Sequence, residues 1–370
     1  MQDEVPGLIR VDRALLWFGS VCLLLVGFGY AAAHVNNVQD YLIRDIARRR
    51  LRSIHRELLA PEKMIVVLCG TGDPVPDPDR AAACTAVFAG GQFFLVDIGP
   101  SSARSAGVIG LPLADLTAVL VTHFHSDHIG DLGELNTQSW IAGRGRPLPV
   151  YGPPGLKRVV DGFALAYTLD CGYRVATVPM LSPRNWMMEP RAIIIAGSTP
   201  ESGATTVFES QGLRITAFAV DHAPVVPAYG YRFDYRGRSV VISGDTAKSS
   251  NLIRVAANAD LLIHEAQAKY IVGIIQQVAG KENRKLLQAT LGDIQRYHSS
   301  PADAAEAANE ARVNMLVLTH LTPPPSSYFA QWAFLRGVST VRPQGIELGY
   351  DGMMIVLPVG SRELRVSRLK

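Results

Sequence analysis

The sequence is poor in cysteine and in charge, and each shortage excludes a class of protein. The only four cysteines, Cys22, Cys69, Cys84 and Cys171, include no C-x-x-C pair, so we expect small buried hydrophobic residues rather than a disulfide framework. Charged residues make up 19% of the 370 residues and the formal net charge is +3, without the basic excess of a dedicated nucleic-acid-binding protein. The 48% hydrophobic content excludes a disordered tail and a collagen-like repeat.

One long uncharged run stands near the N-terminus. The 20 residues from Ala14 to Ala33 carry no charge, and as a helix they would span roughly 30 Å, the thickness of a bilayer's hydrocarbon core. Trp17 and Tyr30 lie near its ends, where such rings prefer the headgroup level. The run predicts a single-pass transmembrane helix and a membrane location. The alternative is a signal peptide cleaved near Ala31 to Ala33, which would leave a secreted or periplasmic protein.

The flanking charges bear on orientation. Two arginines and three acids precede the run, whereas six arginines follow it: Arg44, Arg48, Arg49, Arg50, Arg52 and Arg56. The positive-inside rule therefore favours a cytoplasmic domain, and the signal-peptide alternative favours the opposite side. Residues 34–62 are predicted to form a basic helical linker, which either lies on anionic lipid or is simply solvated.

Residues 63–360 are predicted to form one domain. Residues 1–13, before the uncharged run, and residues 361–370, after the domain, are predicted to be terminal tails. Short β-rich runs bounded by turns fall into two sets. The first set comprises 64–69, 85–89, 93–97 and 116–122, and the second comprises 213–220, 229–235, 239–243, 261–265, 315–320 and 353–358. With helices such as 301–312 between them, these runs predict two packed sheets under outer helices. Residues 152–205 separate the two sets and are interpreted as an insertion that lines a pocket as a lid, or as ordinary peripheral packing.

The placement of the histidines is the main evidence on chemistry. His123, His125, Asp127 and His128 follow a predicted strand directly in the run THFHSDHIGD. Alternate residues of an extended segment point the same way, so His123 and His125 can reach one metal ion. Asp127 and His128 at the following turn can reach a second. Imidazole and carboxylate ligands suit zinc, with iron or manganese as alternatives.

Further candidate ligands follow other predicted strands. His222, Asp245 and His320 each stand at such a strand end, where a loop presents a side chain at the sheet edge. Asp97 ends another strand and is expected to orient a ligand histidine from behind. These positions together predict a site for two metal ions.

The motifs then resemble a known family. GTGDP (70–74), LVDIG (95–99), THFHSDH (122–128), DH (221–222), SGDT (243–246) and LTH (318–320) occur in the order typical of the metallo-β-lactamase superfamily. The resemblance covers residues 64–358 and implies an αββα sandwich with a dinuclear site on its edge. It implies that His123, His125 and His222 hold one metal and that Asp127, His128 and His320 hold the other, with Asp245 bridging.

Two more motifs narrow the branch. IHEAQ (263–267) and the segment that begins YHSS at 297 resemble transfer-RNA 3′-processing endonucleases and related arylsulfatases. The resemblance implies that His298 assists the leaving oxygen and that Asp127 orients the nucleophile, whereas His264 and Glu265 support the ligands from behind. The nucleases carry a long RNA-gripping arm, typically between the positions of His222 and Asp245, but only 22 residues separate these two here and they are predicted to form a hairpin.

The leading hypothesis from the sequence is therefore a membrane-anchored, two-zinc, arylsulfatase-like hydrolase. It would cleave sulfate or phosphate esters of small molecules by attack of a metal-bridging hydroxide. The alternative is a transfer-RNA 3′-processing phosphodiesterase, which the missing arm and the modest charge disfavour. A lactonase of the same fold and a catalytically silent, membrane-bound interaction module complete the alternatives.

Overall fold

The computed structural model describes residues 13–195 and 203–369, and these separate into two compact units with a boundary between His55 and Arg56. The first unit consists of helices α1 (Arg13–His34) and α2 (Asn36–Arg52). No single helix among the described residues is both long and apolar enough to cross a bilayer. The stretches Ser20–His34 and Asn36–Leu59 pass that test only as a pair, which is bent by 89°. The predicted transmembrane helix at 14–33 is thus unsupported, and residues 1–12 lie outside the described part.

The second unit contains two sheets. The first has eight strands in the order β15-β14-β1-β2-β3-β4-β5-β6. In chain order its strands are β1 (Lys63–Gly70), β2 (Cys84–Ala89), β3 (Gln92–Val96), β4 (Leu116–Leu120), β5 (Leu148–Gly152), β6 (Met188–Ala192), β14 (Met353–Pro358) and β15 (Arg365–Arg368). Strands β3 to β6 run parallel, because helical crossovers connect them.

The second sheet has seven strands in the order β13-β12-β11-β10-β9-β8-β7. Its strands are β7 (Ala204–Ser210), β8 (Leu213–Ala219), β9 (Tyr229–Tyr235), β10 (Arg238–Ile242), β11 (Leu261–Gln267), β12 (Met315–Thr322) and β13 (Ile346–Leu348). The predicted hairpin between His222 and Asp245 is confirmed as β9 and β10. Its two turn residues, Arg236 and Gly237, both have positive φ, as a two-residue hairpin turn requires.

The second unit also contains helices, several of which cover the outer faces of the two sheets. They are α3 (Ser102–Val108), α4 (Ser126–Ile129), α5 (Leu132–Ile141), α6 (Leu156–Thr177), α7 (Pro183–Trp186), α8 (Ser250–Val255), α9 (Lys269–Lys281), α10 (Lys285–Ile294), α11 (Pro301–Glu310), α12 (Tyr328–Phe334) and α13 (Val338–Val341). Helix α11 begins where the sequence predicts, because Ser300 and Asp303 form a reciprocal capping box and Pro301 occupies the first turn.

The alternation of side chains along each strand produces three apolar layers. In β11, for example, Leu261 and Ile263 point into the layer between the two sheets, whereas Leu262 and Ala266 point outward under the helices. The helices α3, α5 and α6 cover the first sheet, and α8, α11 and α12 cover the second. The predicted αββα sandwich is confirmed as the architecture.

Two features differ from the sequence analysis. Cys69 and Cys84 form a disulfide between β1 and β2; consecutive strands bring them together, which their 15-residue spacing did not reveal. Cys171 is free and buried, and Cys22 is free and exposed. The range 152–205 holds α6, α7 and β6, and β6 forms an edge of the first sheet; residues 196–202 lie outside the described chain.

Candidate metal centre

The first group of candidate ligands lies where β4 ends. The chain leaves the sheet at Thr122 and turns into the four-residue helix α4, with the amide of His128 donating to the carbonyl of His125 at 3.1 Å. His123, Asp127 and His128 are buried, whereas His125 is exposed. This tight turn brings residues only five positions apart in sequence to one side of the sheet edge.

The second group comes from the other sheet. His222 follows β8, Asp245 follows β10, and all of these side chains are almost fully buried. His320 lies inside β12 at a β-bulge, because Glu265 pairs with Thr319 and Ala266 with Leu321, leaving His320 without an opposite residue. Its φ of 47° is uncommon for a residue with a side chain, and a bulge is a usual way to redirect one.

The carboxylate of Asp245 lies between the two groups. Its Oδ2 is 3.3 Å from His128 Nε2 and 3.5 Å from His320 Nε2. The same oxygen is 3.9 Å from Nε2 of both His123 and His222. One oxygen within 4 Å of four imidazole nitrogens is the placement that a bridging ligand requires.

The seven predicted ligands therefore converge in two sets. His123, His125, His222 and Asp245 form one, and Asp127, His128 and His320 form the other, with all ligand atoms of a set within 4.8 Å of one another. His320 Nε2 is 3.0 Å from Asp127 Oδ2, and His123 Nε2 is 2.9 Å from His125 Nδ1.

Several of these buried atoms have no hydrogen-bond partner. They are His128 Nε2, His222 Nε2, Asp245 Oδ1 and His320 Nδ1. A buried polar atom without a hydrogen-bond partner costs free energy, unless a bound ion or water molecule satisfies it. Nitrogen and carboxylate donors in sets of three or four fit divalent transition metals, so these residues are compatible with a dinuclear metal site.

In two of the ligand histidines, the ring nitrogen Nδ1 contacts an oxygen atom of the protein, and this contact fixes the ring. His128 Nδ1 lies 2.8 Å from Asp97 Oδ2, and Asp97 in turn accepts hydrogen bonds from the amide and hydroxyl of Thr122, each at 2.8 Å. His222 Nδ1 lies 3.0 Å from the carbonyl of Tyr297. Such contacts select the tautomer that leaves Nε2 available for a metal. The predicted position of Asp97 behind a ligand agrees with this geometry.

His298 and Glu265 form a second buried pair at the centre. His298 Nδ1 is 3.0 Å from Glu265 Oε1, which also accepts hydrogen bonds from the amides of Thr246 and Ser299, each at 3.1 Å. The His298 ring lies 5.1 Å from the His222 ring and 5.7 Å from the His320 ring, centroid to centroid. His298 thus borders both sets of ligands.

His264 is placed elsewhere, contrary to its predicted supporting role. It neighbours Glu265 on β11, but successive residues of a strand point to opposite faces. Glu265 points toward the centre, while His264 is fully buried with Nδ1 2.7 Å from the carbonyl of Glu265. The strand period alone would have separated the two residues.

Burial lowers the pKa of three of the ligand histidines. His123, His125 and His222 are all shifted downward by desolvation, which the carboxylate of Asp245 only partly opposes. Neutral imidazole is the form that binds metals. These three histidines are therefore in the binding-competent form at neutral pH.

The pKa values of the other two ligand histidines, His128 and His320, are raised instead. Burial alone would lower the pKa of His320, but the carboxylates of Asp245 and Asp127 raise it to about 9. Nearby carboxylates, first of all Asp245, also raise the pKa of His128. The pKa values of Asp127 and Asp245 are lowered despite burial, chiefly by the charge of His128. The protonated histidines thus offset the acidic cluster in the metal-free protein, and metal binding would displace their protons.

Asp73 is a residue of this region to which the sequence analysis assigned no role. It is buried, desolvation raises its pKa to about 6, and its Oδ2 has no partner. It interacts with His320 and Thr322. Its position inside the GTGDP motif was the one sequence feature that could have indicated a role for Asp73. No spacing rule, however, connects residue 73 with residue 320.

Known proteins resemble this chain in sequence. Residues 73–321 match the family model described as beta-lactamase superfamily domain. The chain is 41% identical to a ribonuclease Z of Mycobacterium bovis over 261 residues, which is 70% of this chain and 86% of that protein. A ribonuclease Z of Mycobacterium marinum is 39% identical over 77% of this chain and 96% of its own length.

Solved structures share the fold at lower identity. The short form of human tRNase Z superposes with a TM-score of 0.57 at 22% identity, covering 80% of this chain and 99% of that one. The metallo-beta-lactamase fold protein YhfI from Bacillus subtilis gives a TM-score of 0.56 at 19% identity, with 80% and 99% covered.

Proposed function

The chain belongs to the metallo-β-lactamase superfamily, in its ribonuclease Z-like branch, and on that premise we propose that it is a two-zinc phosphodiesterase that processes RNA 3′ ends. It is a metal-dependent hydrolase of ester bonds. The observation that carries the finer proposal is the 41% identity to a protein named ribonuclease Z over 86% of that protein's length. This reverses the order of the two hypotheses that the sequence motifs alone favour.

The ligand sets define what the chain would hold and where. His123, His125 and His222 would hold one zinc ion, Asp127, His128 and His320 the other, and Asp245 would bridge them. Two zinc ions at such a site supply Lewis acidity and acidify a water molecule. Asp127, whose carboxylate is kept ionised by His128 and His320, would orient the attacking water.

His298 would deliver a proton to the leaving oxygen. Burial alone would lower its pKa, but the carboxylate of Glu265 at 3.0 Å outweighs that effect and raises it. Because Glu265 occupies Nδ1, the remaining ring nitrogen is available for proton transfer. The ring's position beside His222 and His320 supports a role at the departing group.

A small sulfate or phosphate ester is the second candidate substrate, and the β9–β10 hairpin favours it. Of the 22 residues between His222 and Asp245, 14 form two short strands and a two-residue turn. The short connections on either side leave no room there for an RNA-gripping arm. A substrate that needs no such arm would be accommodated without any substitute for it.

Turnover of three substrates separates the candidates. Zinc-loaded full-length protein would be assayed on a transfer-RNA precursor with a 3′ trailer, an aryl phosphodiester and an aryl sulfate, with Asp245→Ala as the control. We expect Asp245-dependent cleavage of the precursor at its 3′ end and of the phosphodiester. Dominant sulfate hydrolysis would instead support the arylsulfatase-like alternative.

We also propose that the segment 14–33 anchors the chain to a membrane. What supports this is the absence of charge over 20 residues and the exposure of its apolar side chains within its own unit, including Trp17, Leu23 and Phe28. Recovery of the full-length chain in the membrane fraction after alkaline carbonate extraction would be the expected result. Recovery of a shortened chain in the soluble fraction would favour signal cleavage.

A further inference from the structure

Helices α9 and α10 form a hairpin beside the metal centre. The hairpin connects Glu265 on β11 with His298, so both of its ends are fixed to the site. At its base, the amide of Gln267 donates to the carbonyl of Ser299 at 2.8 Å, and the amide of Ala268 donates to the carbonyl of Thr322 at 2.7 Å.

The hairpin leaves an unusual amount of apolar surface uncovered. No residue of helix α10 is fully buried, although its sequence KLLQATLGDI is amphipathic, and only residues 291–294 are half-buried. Leu286 is 83% exposed, and on α9 the side chains of Ile274 and Val278 are 55% and 52% exposed. An amphipathic helix normally buries its apolar face against the core, so this face is not explained by folding of the domain.

Helix α12 also exposes large apolar side chains. Its side chains Tyr328, Phe329 and Trp332 are exposed by 90%, 74% and 71%. The hydroxyl of Tyr270 on α9 donates to the carbonyl of Ala333, and the guanidinium of Arg336 lies 5.3 Å from the centre of the Tyr270 ring. These contacts join α9 to α12 at Tyr270, one helical turn before Ile274. We call the exposed apolar side chains of the hairpin and of α12 together the apolar helical surface.

The tip of the hairpin is basic. The turn Gly280 to Lys285 contains Lys281, Arg284 and Lys285 against the single acid Glu282. None of these three cations forms an ion pair within residues 13–195 and 203–369, whereas Arg296, at the base of the hairpin, pairs with Asp293. Three unpaired cations next to exposed apolar side chains attract an anionic partner that also has an apolar interior.

We propose that the apolar helical surface docks onto an anionic lipid surface. The surface combines aliphatic side chains with Trp and Tyr on α12 and with Lys and Arg at the tip of the hairpin, and these residue types are typical of helices that lie in the membrane interface. RNA would engage the aromatic rings but has no counterpart for Ile274, Val278 and Leu286. The uncharged run at 14–33 is a second feature of the same chain suited to lipid. The proposal concerns binding and does not depend on the proposed function.

Tryptophan fluorescence of the full-length chain tests this directly. Of the four tryptophans, Trp140 and Trp186 are buried, so Trp17→Phe leaves Trp332 as the exposed reporter. This variant would be reconstituted with vesicles of phosphatidylcholine and phosphatidylglycerol that carry brominated acyl chains. We expect a blue shift of the Trp332 emission and quenching by the bromines, both lost in Trp17→Phe/Trp332→Phe.

A matched control places the reporter elsewhere. Val108 on α3 is 77% exposed and lies outside the apolar helical surface, so Trp17→Phe/Trp332→Phe/Val108→Trp should show no quenching. Quenching of Trp332 no greater than that of this control, whether or not the chain associates with vesicles, would overturn the proposal. Quenching of Trp332 by a single-stranded RNA oligonucleotide without any vesicle effect would overturn it in favour of RNA.

Two sets of substitutions assign the effect to the surface. Ile274→Asp/Leu286→Asp in the Trp17→Phe chain should reduce the lipid quenching of Trp332 to the level of the Val108→Trp control, with an unchanged far-UV spectrum. Lys281→Gln/Arg284→Gln/Lys285→Gln should remove the dependence on phosphatidylglycerol. Undiminished quenching in the first variant would contradict docking through the hairpin.

Discussion

The metal centre and the apolar helical surface each depart from the usual distribution of side chains, in which polar residues are exposed and apolar residues are buried. At the centre, His123, Asp245 and His320 are buried although they are polar. On the hairpin, Leu286 and Ile274 are exposed although they are apolar. Either arrangement costs free energy in an isolated domain. Neither region is accounted for by contacts within the described chain, and we propose a partner outside the polypeptide for each, metal ions in one case and a lipid surface in the other.

The largest expected effect follows from removing the shared carboxylate. Asp245→Ala takes away the oxygen within 3.9 Å of four ligand histidines, so both metals should be lost together. We expect turnover to fall by roughly 10³-fold or more, with metal content measured by mass spectrometry. A variant that kept one equivalent of zinc would show that Asp245 does not bridge.

A smaller loss is expected where the chemistry is impaired but the metals remain. His298→Ala should keep two metals per chain and lower turnover by roughly 10²- to 10³-fold, the lower part of the roughly 10²- to 10⁴-fold range that general acid–base catalysis contributes. The loss should be largest for substrates with a poor leaving group. Full turnover on such a substrate would contradict the assigned role of His298.

A smaller effect still is expected from Asp97, which contacts the metal-ligand candidate His128 and is not itself a predicted ligand. Asp97→Asn weakens the contact with His128 Nδ1, and changes of this type typically reduce metal affinity by about 10- to 100-fold. Competition with a chelator would measure it. Unchanged affinity would mean that Thr122 and the backbone hold His128 well enough without the charge.

Glu265→Gln tests the electrostatics of the buried pair. Glu265 raises the pKa of His298, so turnover that needs protonated His298 falls as pH rises through that raised pKa. Removing the negative charge lowers this pKa, and the alkaline decline of kcat should move to lower pH. A pH profile of kcat identical to that of the unmodified protein would exclude Glu265 as the cause.

The smallest effect is expected on the exposed side of the comparison. Leu286→Ser should change the free energy of unfolding by less than about 0.5 kcal/mol, because its side chain is 83% exposed. Leu318→Ala in the fully buried part of β12 should cost about 2–5 kcal/mol. Chemical denaturation of both variants gives the measurement. A large loss for Leu286→Ser would show that the hairpin packs against the domain after all.

Local patterns predicted much of the molecule. The strands around 229–235 and 353–358 were predicted with the observed bounds, because apolar runs between turn residues depend only on neighbouring positions. The strands β5, β6, β7, β13 and β15 were not predicted. Several are short or half exposed, and their pairing partners rather than their own residues stabilise them.

The sequence by itself determined the ligand types, since His and Asp at the ends of apolar strands need no further information to suggest a metal site. Only the tertiary structure decided how they meet. The bulge that redirects His320 and the Cys69–Cys84 disulfide depend on how strands pair, and strand register is not encoded in one segment. The contact of Glu265 with His298 joins β11 to the connection before α11, 33 residues later in the chain. The exposure of α9 and α10 belongs to the same class, because an amphipathic pattern predicts a buried face and only the packed structure shows that nothing within the described chain covers it.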